Sequence, residues 1–238
     1  ALAIRQGCIV DLLPVCLARH RYSARECVVL PHHVLMPGLV NLHTHAAMTL
    51  LRGYADDVPL ADWLNRHIWP AEARHVGHEF VRDGSLLACA EMLRGGVTCF
   101  NDMYFFPEAT AEAALRLGMR AALGILTIGF PSAYASDADD YLNKGLATRD
   151  ALRDQPLISF CLAPHAPYTV SDASLEKVAT LAAQLDVPVH IHVHETRQEI
   201  GDSLRDHGVR PLARLHRLGL LGPNLIAVHA VHLDQADI

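Results

Sequence analysis

The sequence predicts an α/β fold made of repeated β-α units around a parallel sheet, and three observations carry that reading. From Gly38 onward, short apolar runs alternate with longer segments of helical period, the pattern that crossover helices between parallel strands produce. Hydrophobic residues make up 51% of the 238 residues and charged ones only 19%. That is below the ~25% of an average soluble domain, which implies extensive burial and excludes disorder. Finally, four of six strand candidates deliver a histidine at the carboxyl end, where β-α loops build ligand sites.

Residues 1–37 read as a separate small all-β piece. Ala1 to Val10 is a strand, a Gly-centred turn and a second strand, followed by the apolar runs Cys27-Val-Val-Leu30 and Val34-Leu-Met36 between polar or Pro-containing turns. The strand candidates of residues 38–238 are Leu39 to Leu42, Val97 to Phe100, Arg120 to Leu126, Ile158 to Leu162, Val187 to His192 and Leu225 to Val228. Between them, Asp83 to Arg94 is a helix closed by Gly95-Gly96. Ser171 to Gln184 is another, opened by a capping Ser and apolar along Leu175, Val178, Leu181 and Ala182. Such an array closes as an open doubly wound sheet or as an eight-stranded barrel. No G-x-G-x-x-G or Walker loop follows the first strand, so the nucleotide-binding open sheets lose ground.

The balance of 20 Lys+Arg against 26 Asp+Glu leaves a formal charge of -6, which carries no footprint for nucleic acid or an anionic membrane. The six cysteines contain no C-x-x-C pair and read as reduced thiols in a cytoplasmic protein. The longest uncharged stretch, Ala121 to Ser136, is interrupted by Gly124, Gly129 and Pro131 and is too short to span a bilayer. The first residue is Ala1, and the opening resembles neither a signal peptide nor a natural start.

Histidine is abundant, 16 residues, and its placement matters more than its number. In Asn41-Leu-His-Thr-His45 the two imidazoles lie two apart on an extended segment and converge beyond the strand, as in a metal pair. His190, His192 and His194 alternate along another strand, with Glu195 immediately after. Three imidazoles on a buried face need a metal or hydrogen bonds to offset their desolvation. His165 and His229 each end a strand. Taken singly, each reads more readily as a hydrogen-bonded core or rim residue. Taken together they suit a metal-activated water and not a closed structural site, because no thiolate accompanies them.

At these residues the sequence resembles the amidohydrolase superfamily: Pro37-Gly-Leu-Val-Asn-Leu-His-Thr-His45, His192-Val-His-Glu195 and His229 carry the likeness. Further segments resemble the branch that deaminates 5'-methylthioadenosine and S-adenosylhomocysteine, among the hydrolases similar to triazine-degrading enzymes. They are Met48-Thr-Leu-Leu-Arg-Gly53, Ile68-Trp-Pro-Ala-Glu72, Asp102-Met-Tyr104 and Ala163-Pro-His-Ala-Pro-Tyr168. The resemblance implies a (β/α)8 barrel, here covered for about six β-α units (38–238), with residues 1–37 as part of a β-sandwich built from both chain ends.

The same resemblance assigns His43, His45 and His192 to one divalent metal ion, zinc first, with iron, nickel or manganese also compatible. Glu195 would shuttle the proton, His229 would orient the attacking water or polarise the leaving group, His165 would contact the substrate near the purine and Glu72 would hold the ribose hydroxyls. His190 and His194 take no role in that pattern. Binuclear members carry a lysine at the fourth strand, where this chain has His165, so a single ion is expected. The implied partner is a small purine nucleoside, and a homo-oligomer is compatible.

Two departures stand out. Ile125 falls on the third strand where relatives favouring S-adenosylhomocysteine can carry an arginine, so a preference for that substrate does not follow. The strand-eight Asp expected as the fourth protein ligand has no candidate, since Asp234 and Asp237 follow the sixth strand too closely. Six units of about 33 residues scale to roughly 270 for eight, near the ~250 of a typical barrel, so an incomplete barrel is expected. Two rival readings remain: a sister hydrolase acting on guanine, cytosine or triazines, and a non-catalytic metal-binding truncated barrel.

Overall fold

Gln6 and Gly7 both adopt positive φ, 51° and 77°, the pair of left-handed residues that a two-residue hairpin turn requires. They join β1 (Leu2–Arg5) to β2 (Cys8–Leu12) in an antiparallel pair. In the computed structural model, which describes residues 1–238, this hairpin belongs to a unit, Ala1–Pro37, distinct from the larger Gly38–Ile238. After it comes α1 (Val15–Arg21), with Arg19, His20 and Arg21 in its last turn, where cations favour the helix dipole. Arg21 and Tyr22 both donate to the Asp11 carboxylate, at 2.9 and 2.8 Å.

The first unit is therefore not all β. Cys27–Leu30 and Val34–Met36, expected as strands, hydrogen-bond to no neighbouring strand, and Val28, Val29, Val34, Leu35 and Met36 are exposed. Apolar composition supplies β propensity, but the pairing of backbone N–H and C=O groups decides whether a strand exists.

Six parallel strands form the wall of the second unit in chain order: β3 (Leu39–Thr44), β4 (Val97–Asp102), β5 (Arg120–Thr127), β6 (Ile158–Pro164), β7 (Val189–Val193) and β8 (Leu225–His229). All six sequence candidates are present. β7 starts two residues later than expected, because Pro188 has no N–H to give to a ladder; its carbonyl instead accepts from Leu162 N at 2.9 Å.

The segment from β3 to β4 holds a 3-10 turn (Ala46–Leu51), α2 (Leu60–Asp62), a π-helical stretch (Trp63–Ile68), α3 (Trp69–His75) and α4 (His78–Arg94). The later connections carry α5 (Pro107–Leu117), α6 (Ala138–Leu152), α7 (Asp172–Leu185), α8 (Arg197–His207) and α9 (Pro211–Arg217). Ser171 Oγ caps α7 by accepting from Ser174 N at 3.3 Å. No helix is long and apolar enough to cross a membrane.

The main core, including Phe100, Leu123, Ile125, Leu162, Ile191, Leu175 and Val178, forms where the strands meet the helix layer. A close approach seats α4 under the site: a methyl at Gly84 would come within 2.8 Å of Ala47 Cα, in the turn that follows His45. The sheet also curls. Laid flat, β3 and β8 would be about 24 Å apart, five spacings of ~4.8 Å, yet the rings of His43 and His229 on those strands are 5.9 Å apart. Sequential strand order, intervening helices and this curvature are those of a (β/α)8-type barrel wall, with β3 and β8 at its edges.

Candidate metal centre

Four strand ends deliver the histidines to one place. His43 lies in β3 with His45 just past it, His165 directly follows β6, His192 is in β7 and His229 ends β8. Ring centroids are 4.7 Å apart for His43 and His45, 4.8 Å for His43 and His192, 5.2 Å for His45 and His192, 5.0 Å for His165 and His192 and 5.4 Å for His192 and His229. One nitrogen each from His43, His192 and His229 fall within 4.8 Å of one another. His45 stands against this trio.

The free nitrogens follow from what the others touch. His45 Nδ1 lies 2.6 Å from the Met103 carbonyl oxygen and His192 Nδ1 lies 2.7 Å from that of His165. A carbonyl only accepts, so both Nδ1 atoms carry the proton. Burial, and then the neighbouring imidazoles, depress these bases: His43 to about 3, His165 to about 3 and His190 to about 4, with His45 and His192 also lowered. These rings are neutral at pH 7, so Nε2 of His45 and of His192 is a bare lone pair.

Neutral imidazole is the form that binds a divalent ion, with the other ring nitrogen held by a hydrogen bond. The spacing fits as well. Two nitrogens each about 2.0–2.1 Å from a tetrahedral ion lie roughly 3.3 Å apart, and His43 Nε2 is 3.2 Å from His192 Nε2. The donor set suits a metal of the kind that takes imidazole.

Two carboxylates border the cluster. Glu195 is half-buried with Oε1 at 3.4 Å from His229 Nε2; burial raises its carboxyl and the His229 ring opposes that rise. Glu72, on α3, is buried and accepts from the Tyr104 hydroxyl at 2.7 Å. Burial pushes its carboxyl up to about 7, and the Tyr104 bond offsets part of that rise. Because the folded state binds this proton more tightly than the unfolded chain does, the Glu72 contribution to stability is complete below about pH 4.5 and is lost as pH rises through about 7. Asp102, raised to about 6 by burial, acts in the same sense. Glu72→Gln should therefore lose less stability than the parent between pH 5 and pH 8, read from urea midpoints, with Asp102 common to both. Equal losses would contradict a buried Glu72 carboxyl.

The sequence profile of the amidohydrolase family matches residues 34–238. The chain belongs to the amidohydrolase family. It is 50% identical over 238 residues to a 5-methylthioadenosine/S-adenosylhomocysteine deaminase of Saccharophagus degradans, covering 100% of this chain and 53% of the relative. To the deaminase of the same name from Teredinibacter turnerae it is 52% identical over 237 residues, again covering 100% of this chain and 53% of the relative. A crystal structure of an adenosine deaminase from Xanthomonas campestris with bound zinc superposes with a TM-score of 0.97 at 54% identity, over 99% of this chain and 54% of the other. The chain thus spans about half the length of the curated relatives it matches.

Residues that sequence reasoning left aside support this amidohydrolase site. Thr196 Oγ1 accepts from Glu199 N at 3.1 Å, and the Glu199 carboxylate accepts from the backbone N of His194 and Glu195 at 2.9 and 2.8 Å. The Thr196 cap starts α8, and the Glu199 carboxylate fixes the backbone of Glu195 just before it; Thr196-x-x-Glu199 was the readable signal. His194 sits at φ 56°, fully buried. Its Nε2 accepts from Leu212 N at 3.1 Å and its Nδ1 donates to the His232 carbonyl at 3.1 Å, so it staples β7 to α9 and to the segment after β8. Asp102, at the end of β4, accepts from Thr44 Oγ1 at 2.9 Å and Ala46 N at 2.7 Å, and so clamps the chain around His45.

Three sequence expectations meet the amidohydrolase structure directly. Ile125 does not face the barrel interior: a methyl on Gly145 of α6 would meet its side chain, 3.1 Å from Cβ. Alternate residues of a strand face opposite sides, so this position is no substitute for an arginine lining the site. The Asp237 side chain is buried and holds Arg210 at 2.6 Å, with Asp234 at 3.2 Å from the same guanidinium, so both carboxylates are engaged by Arg210. Lys144 and Lys177 lie on α6 and α7, paired with Asp140 and Asp139.

Proposed function

We propose that this protein is a hydrolytic deaminase of adenosine-type nucleosides, 5'-methylthioadenosine or S-adenosylhomocysteine, working with one zinc ion held by Nε2 of His43, His45 and His192. The observation that carries the reading is the fixed outward turn of the Nδ1 atoms of His45 and His192, beside a carboxylate, Glu195, placed 3.4 Å from His229. A bound ion of this class lowers the pKa of water from 15.7 to about 7 and so supplies the nucleophile at neutral pH.

The remaining work falls to side chains. His229 orients the incoming water toward purine C6. Glu195 takes a proton from that water and delivers it to the ring nitrogen as the water oxygen bonds to C6; the remaining proton on that oxygen passes through Glu195 to the amino group, the C6–N bond breaks, and ammonia leaves with a carbonyl in its place. His165, whose Nδ1 is held at 2.9 Å from Thr169 Oγ1, presents its other edge to the purine. Glu72, oriented by Tyr104, accepts from the ribose hydroxyls, and residues 1–37 contribute to a β-sandwich.

Ammonia release from the zinc-supplied protein, measured across methylthioadenosine, S-adenosylhomocysteine, guanine, cytosine and triazines, tests the proposal. Turnover of the two adenosine-type compounds is expected. Activity confined to guanine or triazines would sink the substrate assignment, and bound zinc with no turnover of any compound would favour a non-catalytic metal protein.

A further inference from the structure

His190 has no part in the chemistry above, yet it is fully buried on β7, two residues before His192 and on the same face. Its Nε2 lies 3.0 Å from His43 Nδ1, with the rings edge to face at 71°. Its own Nδ1 is buried without a hydrogen-bond partner, an exception to the near-universal pairing of buried polar atoms that calls for an explanation.

The His43 to His190 contact can run in two directions with different consequences. If His190 Nε2–H donates, His43 must carry its proton on Nε2, aimed at the bare Nε2 of His192 3.2 Å away, and the metal position is blocked. If His43 Nδ1–H donates, His43 Nε2 becomes a third bare lone pair beside those of His45 and His192. His190 then keeps its proton on the unpartnered Nδ1.

We infer that His190 is the positioning residue of this centre: by accepting from His43 Nδ1–H it sets the tautomer and tilt of His43, as the carbonyls of Met103 and His165 do for His45 and His192. The inference rests on the ligand assignment proposed above. It gives the unpaired His190 Nδ1 a reason, since the ring is held in the tautomer that serves its other nitrogen.

The test uses zinc alone, with affinity measured by competition against a chromophoric chelator. His190→Leu is expected to weaken zinc binding by about 10–100-fold, the usual loss when an outer partner of a metal-bound histidine is removed. His190→Gln, whose amide oxygen reaches about the position of Nε2, should restore most of that affinity. His190→Asn, which reaches only the position of Nδ1, should not. A merely structural role would not separate these two amides. In zinc-loaded, nitrogen-labelled protein at pH 8, a scalar coupling across the hydrogen bond between His43 Nδ1 and His190 Nε2 is expected. Parent-like affinity in both His190→Leu and His190→Asn, or absence of that coupling, overturns the inference while leaving the ligand set intact. Failure of the parent itself to bind zinc removes the ligand assignment, and the role of His190 with it.

Discussion

In the proposed deamination, Glu195→Gln should cut turnover by about a hundred- to ten-thousand-fold, the range associated with losing a general acid-base group, while zinc affinity stays near that of the parent. The amide keeps the size of the side chain and can still meet His229, at 3.4 Å in the parent. It cannot take up and release a proton. The backbone should not move, because N–H of residue 195 is held by the Glu199 carboxylate at 2.8 Å, a bond independent of the substituted side chain. Steady-state kcat with methylthioadenosine, alongside a zinc titration, separates the outcomes. A fall in kcat smaller than tenfold would remove Glu195 from the proton-transfer role, and lost zinc binding would mean that its carboxylate is a ligand.

Removing a proposed ligand should act on a different observable. His192→Ala deletes a ring that is 95% buried and whose Nε2 is 3.2 Å from that of His43. Zinc affinity should fall by more than the about 100-fold that outer-shell changes cost, and turnover should fall to background. The lost bond to the His165 carbonyl should cost the metal-free protein about 1–3 kcal/mol. A ligand that binds only the folded state raises the melting temperature by an amount that grows with the logarithm of its affinity once its concentration exceeds Kd, so zinc should raise Tm in the parent and not in His192→Ala. His194→Ala is the matched control, two residues along the chain and also buried. Its loss of the Leu212 N bond should lower Tm, yet the zinc-dependent rise should persist. The same zinc response in His192→Ala as in the parent would overturn the ligand assignment.

The sequence revealed what local periodicity encodes. Apolar runs marked all six barrel strands, and alternation within them put His43, His192 and His229 at their carboxyl ends. Ser171 announced the start of α7 because its cap contacts lie within four residues. Features that depend on remote partners were not legible. Cys27–Leu30 looked like a strand, but no neighbour pairs with it, and α1 is too short to show a helical period. The approach of His190 to His43 joins β7 to β3, which are not adjacent in the sheet, so no reading of either segment alone could find it. The Tyr104 bond to Glu72 links β4's following loop to α3 in the same way. Ile125 shows a third kind of failure: the strand was right, but which of its faces the residue occupied could be settled only by its packing on Gly145.

The curl of the wall has a mechanical consequence. His43 and His192 face each other across a gap set by four successive strand-to-strand steps, β3 to β4, β5, β6 and β7, so small displacements accumulate along it as tolerances do in a chain of machined parts. A drift of about 0.2 Å per step becomes about 0.8 Å at the far end, beyond the ~0.5 Å within which a functional constellation must be held. Positions far from any ligand thereby calibrate the gap. Gly124, midway along the wall, leaves room for Asp102 O and Ala163 Cβ, which a methyl there would meet at 2.7 Å. Widening the wall at that point should misalign nitrogens that it never touches.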